Sequence, residues 1–165
     1  MSEKKRIAIV PGSFDPITNG HVALVAQAAQ RYDTVYLAVM INRAKQYLFT
    51  MEQRKQIAHA AVRHFSNVEV IASDGMLWEL ARSLGACAIV KGYRNEKDLA
   101  YEQEMEAYNR ARYPEAETIL LPSDTNLREV SSTVVRAKIL AREDLHAYLP
   151  AEAIDEIYKI LPRQI

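Results

Sequence analysis

The residues best suited to chemistry follow the first apolar run of the chain. There the sequence from Pro11 to His21 reads P-G-S-F-D-P-I-T-N-G-H. Gly12 and Gly20 permit close backbone approach and unusual φ angles, and Ser13 offers a hydroxyl beside exposed amides. His21 falls where a helix is predicted to begin, and the free N–H groups and dipole of a helix N-terminus favour an anion. The stretch therefore predicts an anion site, for which a triphosphate is a natural guest.

Two familiar phosphate-binding patterns are absent from this stretch. It contains neither G-x-x-x-x-G-K-[ST] nor G-x-G-x-x-G, so it is not a P-loop or a dinucleotide-binding loop. On composition alone, a Gly/Pro turn with a solvent-facing histidine is an equally good interpretation, because such residues are common in loops between strands and helices. The anion site and the plain turn both stay open at this point.

Three further groups of candidate residues follow later apolar runs. Lys45 comes after the second run, although spacing alone favours a solvated surface lysine there. The segment Lys91–Arg94 follows the fourth run and places two cations around a glycine, which is costly unless an anion neutralises them. After the fifth run, Ser131–Thr133 begins a helix that also contains Arg136. One such serine would be read as an N-cap, but three hydroxyls followed by an arginine favour phosphate binding.

The elements that must position these residues alternate along the chain. Nearly continuous apolar runs predict five buried strands, Ile7–Val10, Val35–Ile41, Val68–Ala72, Ala86–Val90 and Thr118–Leu121. Helical spacing predicts helices over residues 22–32, after a Thr50–Gln53 capping box, over 77–84 before Gly85, over 97–112, over 131–141 and between Pro150 and Pro162. This order predicts an α/β fold, a doubly wound five-stranded parallel sheet with C-terminal helices. Ligands of such sheets bind beyond the C-terminal ends of the strands, where the winding reverses.

Composition limits the class of protein. With 165 residues the chain is expected to form one domain, residues 1–165, and its 49% hydrophobic and 25% charged content excludes a disordered chain. The 21 basic and 21 acidic residues give no net field for nucleic-acid binding. Cys87 is the only cysteine, and no apolar run approaches the roughly 20 residues of a membrane span. We therefore expect a cytoplasmic protein without nucleic-acid or membrane partners.

Taken together, the motifs resemble the phosphopantetheine adenylyltransferase family of the nucleotidylyltransferase superfamily. Thr18–His21 matches the T/H-x-G-H signature, and the resemblance continues through K-Q-Y-L-F-T, K-G-Y-R-N and V-S-S-T-V-V-R. It implies a Rossmann-like fold and transfer of AMP from ATP to 4′-phosphopantetheine, giving dephospho-coenzyme A and pyrophosphate. It further implies direct in-line transfer without a covalent enzyme intermediate, a homohexamer, and Mg²⁺ held mainly by the ATP phosphates.

The resemblance also implies roles for individual residues. Catalysis falls to His21, which contacts the α-phosphate, and to Lys45, which binds the acceptor phosphate. Substrate binding involves Ser13, Lys45, Leu77 against the pantetheine arm, and Lys91. ATP binding falls to Ser13, Phe14, His21, Gly92, Tyr93, Arg94, Glu102, Leu127, Arg128, Glu129, Val130, Ser131, Ser132 and Thr133. No side chain is assigned to a metal.

Some positions depart from the family or have simpler interpretations. Lys91 stands where the family commonly has arginine, so the charge is kept but the bidentate fork is lost. The segment Ser131–Thr133 is closer to the S-S-T-x-x-R of mononucleotide adenylyltransferases. By periodicity alone Leu77 is a core residue, and Glu102 is a solvated carboxylate as readily as an ATP contact.

Two other functions remain open from the sequence. The first is adenylyl transfer to nicotinate or nicotinamide mononucleotide, against which stand the compact length and Thr18 in place of the first histidine of H-x-G-H. The second is a non-catalytic ATP-binding module on a similar fold. Such a module would bind ATP but release no pyrophosphate with any acceptor.

Overall fold

The computed structural model describes residues 4–123 and 131–161. Its centre is a five-stranded sheet in the order β3-β2-β1-β4-β5, with every pairing parallel. The strands are β1 (Ile7–Gly12), β2 (Thr34–Met40), β3 (Val68–Ser73), β4 (Ala88–Tyr93) and β5 (Glu117–Pro122). The predicted doubly wound parallel sheet is confirmed.

Six helices accompany the sheet in the described part of the chain. They are α1 (Asn19–Arg31), α2 (Met51–Val62), α3 (Leu77–Leu84), α4 (Glu96–Arg112), α5 (Ser132–Leu140) and α6 (Ala151–Ile160). Thr50 and Gln53 form the predicted capping box at the start of α2. Gly85 ends α3 with φ 64°, a left-handed angle that glycine adopts without steric cost.

The order of the strands places the candidate residues at one edge. The chain winds outward from β1 through β2 to β3, then returns to the other side of β1 for β4 and β5. Because all strands are parallel, the segments that follow β1, β2, β4 and β5 leave the sheet at the same edge. The reversal lies between β1 and β4, where the rule for doubly wound sheets places the ligand.

The core has two parts, one on each face of the sheet. Successive residues of β1 point to opposite faces, since Ala8 and Val10 belong to the larger cluster and Ile9 to the smaller. The larger cluster receives side chains from α1, α2, α5 and α6, and the smaller receives them from α3. This double cover explains the nearly continuous apolar runs of the central strands.

Two strand predictions need correction. The edge strands β3 and β5 are not buried as expected: β3 contains one buried residue, Val70, and β5 contains none. Each has a neighbouring strand on one side only, which leaves more of its surface exposed. The fourth strand was predicted over 86–90 but spans Ala88–Tyr93, because the pairing with β5 continues to Tyr93 and Pro122. Lys91, Gly92 and Tyr93 therefore belong to the strand itself.

Within residues 4–123 and 131–161, no helix has both the length and the apolar character needed to cross a membrane.

Candidate active site

The segment after β1, residues 13–18, is called the first loop. Its backbone takes a left-handed turn at Phe14, whose φ is 48°. The ring of Phe14 is buried and covers Gly12, so a Cβ at Gly12 would lie 2.9 Å from Phe14 Cζ. Position 12 therefore requires glycine because a larger side chain would collide with the Phe14 ring. The unusual φ angle that we expected at the glycines of this stretch occurs instead at Phe14.

Asp15 fastens the first loop to the segment after β2. Its carboxylate is 2% exposed and accepts hydrogen bonds from the backbone N–H groups of Leu48, at 2.9 Å, and Phe49, at 3.0 Å. Bonds of this kind to a buried carboxylate are among the stronger ones in proteins. The position of Asp15 in the motif is compatible with a structural part that holds the loop, and the structure shows that part: Asp15 joins two loops that are 33 residues apart.

Helix α5 holds the first loop from another side. Ser132 Oγ donates to the backbone oxygen of Pro16 at 2.8 Å. Arg136 Nη1 donates to the backbone oxygen of Asp15 at 2.9 Å, and its Nη2 donates to Thr133 Oγ1 at 3.1 Å. Ser131 is the N-cap of α5 and accepts from the backbone N–H of Val134. The predicted phosphate-binding hydroxyls therefore lie beside the first loop and already have protein partners.

His21 lies in the first turn of α1, as predicted. Its Nδ1 accepts a hydrogen bond of 3.0 Å from the backbone N–H of Thr18, and its ring meets the ring of Phe14 edge-on at 5.0 Å between centroids. Since Nδ1 is an acceptor, the proton of the neutral ring is on Nε2. The ring therefore presents an N–H donor beside the N-terminus of a helix.

The charge state of His21 follows from its surroundings. Burial, together with the nearby positive charge of Arg94, lowers the pKa of His21 from 6.5 to about 4. At neutral pH the imidazole is therefore uncharged. It is suited to donate a hydrogen bond to an anion rather than to act as a fixed cation.

The segment after β2, residues 41–50, is called the second loop. Residues 41–46 are exposed, and among them is the predicted acceptor-binding Lys45, whose backbone N–H donates to the oxygen of Asn42 at 2.9 Å. Tyr47 is half-buried, and its hydroxyl accepts from the backbone N–H of Asn42 at 2.6 Å and lies 3.5 Å from Ser13 Oγ. The second loop thus reaches the first loop through Tyr47.

The predicted cations on the other side of β1 are paired with acidic residues. Lys91, at the end of β4, forms an ion pair with Glu102 of α4, and both side chains are largely buried, at 20% and 15% exposed. Arg94 pairs with Asp98 at 3.2 Å and is 45% exposed. Arg94, which directly follows β4, acts electrostatically on His21 and contributes to lowering its pKa.

Leu77 and residues 127–130 complete the set of predicted site residues. Leu77 begins α3 and packs, partly buried, against the smaller core cluster, so its contacts are those of a core residue. Leu127, Arg128, Glu129 and Val130 lie outside the described residues.

Sequence reasoning missed Arg54, a charged residue that is 1% exposed. It lies in the first turn of α2 beneath both loops and donates to backbone oxygens of Ser13 and Met40. A signal was present in the helical pattern, because position 54 falls on the same face as the buried residues Ile57, Ala58 and Ala61. A charged residue on the buried face of a helix indicates that its side chain is hydrogen-bonded or ion-paired inside the protein.

The chain is similar in sequence to known proteins over most of its length. The sequence pattern of the cytidylyltransferase-like family matches residues 9–138, a range that runs from β1 into α5 and includes both loops. A phosphopantetheine adenylyltransferase from Streptococcus gordonii is 42% identical over 158 residues, which are 95% of this chain and 95% of that relative. One from Lactobacillus acidophilus is 40% identical, covering 94% and 97% of the two chains.

The chain belongs to the phosphopantetheine adenylyltransferase family. It is therefore an enzyme, a nucleotidyltransferase. Membership of the phosphopantetheine adenylyltransferase family confirms the resemblance drawn from the motifs.

A solved structure also confirms the fold. A protein from Vibrio parahaemolyticus, provisionally assigned as a nicotinate-nucleotide adenylyltransferase, superposes with a TM-score of 0.68 over 94% of this chain and 93% of its own. Its sequence is 18% identical, so the likeness concerns the architecture alone. This chain and that protein thus share the arrangement of their sheet and helices.

Proposed function

We propose that the enzyme transfers AMP from ATP to 4′-phosphopantetheine, giving dephospho-coenzyme A and pyrophosphate in coenzyme A biosynthesis. An oxygen of the acceptor phosphate forms the new bond to the α-phosphorus, and the bond from that phosphorus to the bridging oxygen of the β-phosphate breaks. Pyrophosphate leaves with the electron pair. No protein nucleophile is needed, so catalysis consists of placing two anions and stabilising charge on phosphorus.

The observation that carries this proposal is the neutral His21 held beside the α1 N-terminus. With Nδ1 fixed by the N–H of Thr18, Nε2–H is a donor whose direction is set before substrate binds. A preorganised donor of this kind stabilises charge that develops on the α-phosphate oxygens in the transition state. The dipole of α1 adds to the same field, although the backbone N–H of Asn19, the first residue of α1, already donates to the backbone oxygen of Tyr148 at 2.8 Å.

On the acceptor side, the proposal gives the phosphate to Lys45 and Lys91. Lys45 is on the exposed second loop, and Lys91 is at the end of β4. A phosphate at Lys91 would compete with Glu102 for the ammonium. Ser13, at the start of the first loop, lies between the two substrates in this proposal. The part of Leu77 that its core packing leaves exposed contacts the pantetheine arm.

On the ATP side, the proposal gives the phosphates to Arg94 and to the amides around Phe14. Arg94 is 45% exposed and its pairing with Asp98 is a surface ion pair, which costs little to exchange for a phosphate. The remaining proposed ATP contacts are Gly92, Tyr93, Glu102 and residues 127–133.

Mg²⁺ accompanies ATP in this proposal and is held by phosphate oxygens and water. The described residues contain no group of three or more His, Cys, Asp or Glu side chains that could bind a metal, and both oxygens of Asp15 already accept backbone hydrogen bonds. Mg²⁺ keeps most of its water and binds substrate phosphates readily, so a protein cage is not required. When bound, the ion neutralises charge on the leaving pyrophosphate.

The proposal includes a homohexamer in the cytoplasm. The hexamer rests on family resemblance, and light scattering tests it. The compartment rests on the single cysteine, which fits a reducing environment.

The acceptor panel tests the proposed function directly. Purified enzyme is incubated with ATP and Mg²⁺ and with either 4′-phosphopantetheine or nicotinate mononucleotide, and pyrophosphate is measured. We expect pyrophosphate and dephospho-coenzyme A with the first acceptor only. Pyrophosphate with nicotinate mononucleotide alone would show that this mononucleotide is the acceptor. ATP binding without pyrophosphate release in the presence of either acceptor would favour the non-catalytic ATP-binding module.

A further inference from the structure

Arg54 is the most deeply buried charge of the described residues that the proposed reaction does not use. Its Nη1 donates to the backbone oxygen of Ser13 at 2.8 Å and to that of Met40 at 3.1 Å. Its guanidinium carbon lies 3.9 Å from the centroid of the Tyr47 ring. The side chain therefore contacts the first loop, the end of β2 and the second loop at once.

Burying this cation is costly, so its contacts must offset a large loss of hydration. A buried charge is tolerated when it is paired or fully hydrogen-bonded, yet Nε of Arg54 has no hydrogen-bond partner among the described residues. Burial accordingly lowers the pKa of Arg54, opposed by the neighbouring Tyr47 and Asp15. A well-packed apolar residue at position 54 would avoid the cost of desolvating a charge. The presence of arginine there indicates that the guanidinium has a function at the contact between the two loops.

The geometry of arginine matches what this junction requires. A planar guanidinium can donate in its plane to two carbonyl oxygens while its face stacks on an aromatic ring. Lysine keeps the charge but has no plane to stack on Tyr47. Methionine keeps the length and fills the space but donates no hydrogen bond.

We propose that Arg54 is a positioning residue that sets the first loop, which leads to His21, against the second loop, which carries Lys45. This inference rests on the proposed function and deepens it. The α-phosphate and the acceptor phosphate are held from different loops, and the attacking oxygen must come close to phosphorus. Misplacement by about 1 Å can lower the rate of such a step about 100-fold. Arg54 acts on the rate through Lys45, without touching substrate.

Hydrogen exchange tests the physical link without requiring activity. The variants are R54M, R54K and the matched control R63M, since Arg63 is an exposed arginine at the C-terminal end of α2. We expect faster amide exchange in both residues 13–18 and 41–50 of R54M, with α6 unchanged and R63M like the wild type. If circular dichroism shows that R54M does not fold, R54K replaces it both in hydrogen exchange and in the double-mutant cycle.

A double-mutant cycle with Lys45 tests the effect on the reaction. We expect R54M to lower kcat about 10- to 100-fold with the KM for ATP changed less than about threefold, and R54K to restore part of the loss. In a K45M background the same substitution should cost less than about threefold, because both changes impair the same placement. A residue with only a general role in stability would give independent, multiplicative losses.

The outcomes separate this inference from the proposed function. An active wild type whose R54M variant loosens one loop only, or loses activity multiplicatively with K45M, overturns the role of Arg54 and leaves adenylyl transfer standing. A wild type that forms no pyrophosphate with any acceptor overturns the proposed function. In that case the amide hydrogen exchange of residues 13–18 and 41–50 in R54M is the only measurement that tests whether Arg54 links the two loops.

Discussion

The two loops beside β1 and β2 are held in opposite ways. The first loop, residues 13–18, is fixed by part-buried hydrogen bonds from Arg54 of α2 and from Ser132 and Arg136 of α5. Asp15 also joins it to the backbone of residues 48–49. The second loop, residues 41–50, is exposed from 41 to 46 and held there by short-range bonds around Asn42. The loop that leads to His21 is thus a rigid support, whereas the loop that carries Lys45 is open to solvent.

The contrast extends to charge. His21 is neutral because burial and Arg94 lower its pKa, and it can stabilise an anion only by a directed hydrogen bond. Lys45 is an exposed cation that attracts an anion with little dependence on direction. A directed donor needs a fixed backbone, and a point charge does not. The loop that leads to His21 is accordingly the one that side chains from α2 and α5 bind.

The largest expected effect comes from removing the directed donor. His21→Ala should lower kcat by about 100- to 1,000-fold, the range found when one preorganised donor to a transition-state oxyanion is deleted. The dissociation constant for ATP should change little, because the other phosphate contacts remain. Steady-state kinetics and equilibrium binding measure the two quantities.

His59→Ala is the matched control for that substitution, since His59 is exposed on α2. It should leave kcat unchanged. Equal losses in the two variants would show that the loss of kcat does not come from removing a directed donor at His21.

The next effect concerns stability between pH 4 and 6.5. In this range the unfolded chain protonates His21 at its ordinary pKa of 6.5, while the folded protein, with a pKa of about 4, does not. The unfolded state then binds more protons, so the free energy of unfolding falls as the pH drops. The loss attributable to His21 is on the order of 3 kcal/mol over the whole range.

Urea unfolding of the wild type and His21→Asn at several pH values measures this loss. The variant should lose much less stability than the wild type between pH 6.5 and 4. Parallel pH profiles of the two proteins would show that the folded pKa of His21 is not lowered.

A smaller effect is expected at the open loop. Lys45→Met should lower kcat/KM for 4′-phosphopantetheine about 10- to 100-fold by removing a charge that stabilises the acceptor phosphate. The KM for ATP should stay within about threefold, as measured by varying each substrate in turn. Arg43→Met removes a neighbouring exposed cation from the same loop and should be close to wild type. A similar loss in Arg43→Met would mean that the loop contributes only its overall charge.

The smallest effect is expected at Lys91, where the resemblance to the family leads us to expect an arginine. Lys91→Arg should lower the KM for the acceptor a few-fold, because a guanidinium fork can bind a phosphate oxygen and Glu102 together. The kcat of His21→Ala should be insensitive to the same change. An unchanged KM would show that the acceptor phosphate does not depend on this position.

The sequence allowed the order of elements and the edge of the sheet to be predicted, because both follow from local patterns. Continuous apolar runs indicated central parallel strands, and the motif ending in His21 indicated the first turn of α1. The same reasoning overstated the burial of β3 and β5, since a run of apolar residues does not say which strand lies at an edge.

The contacts of the first loop could not be predicted in the same way. Ser132 and Arg136 reach Pro16 and Asp15 across 116 and 121 residues, and partners so distant depend on how the whole chain packs. The left-handed φ at Phe14 was likewise assigned to glycine, because steric rules for isolated residues favour it there. The substrate roles of Lys45, Lys91 and Leu77 stay predictions.

The stereochemical course at phosphorus tests most directly whether the two loops serve one step. The enzyme is given 4′-phosphopantetheine and a single diastereomer of ATP in which sulfur replaces one non-bridging oxygen of the α-phosphate, and the configuration at phosphorus in the product is determined. Direct in-line transfer between substrates held by the two loops predicts inversion at phosphorus. Retention would mean two successive displacements through a covalent enzyme intermediate and would contradict the account.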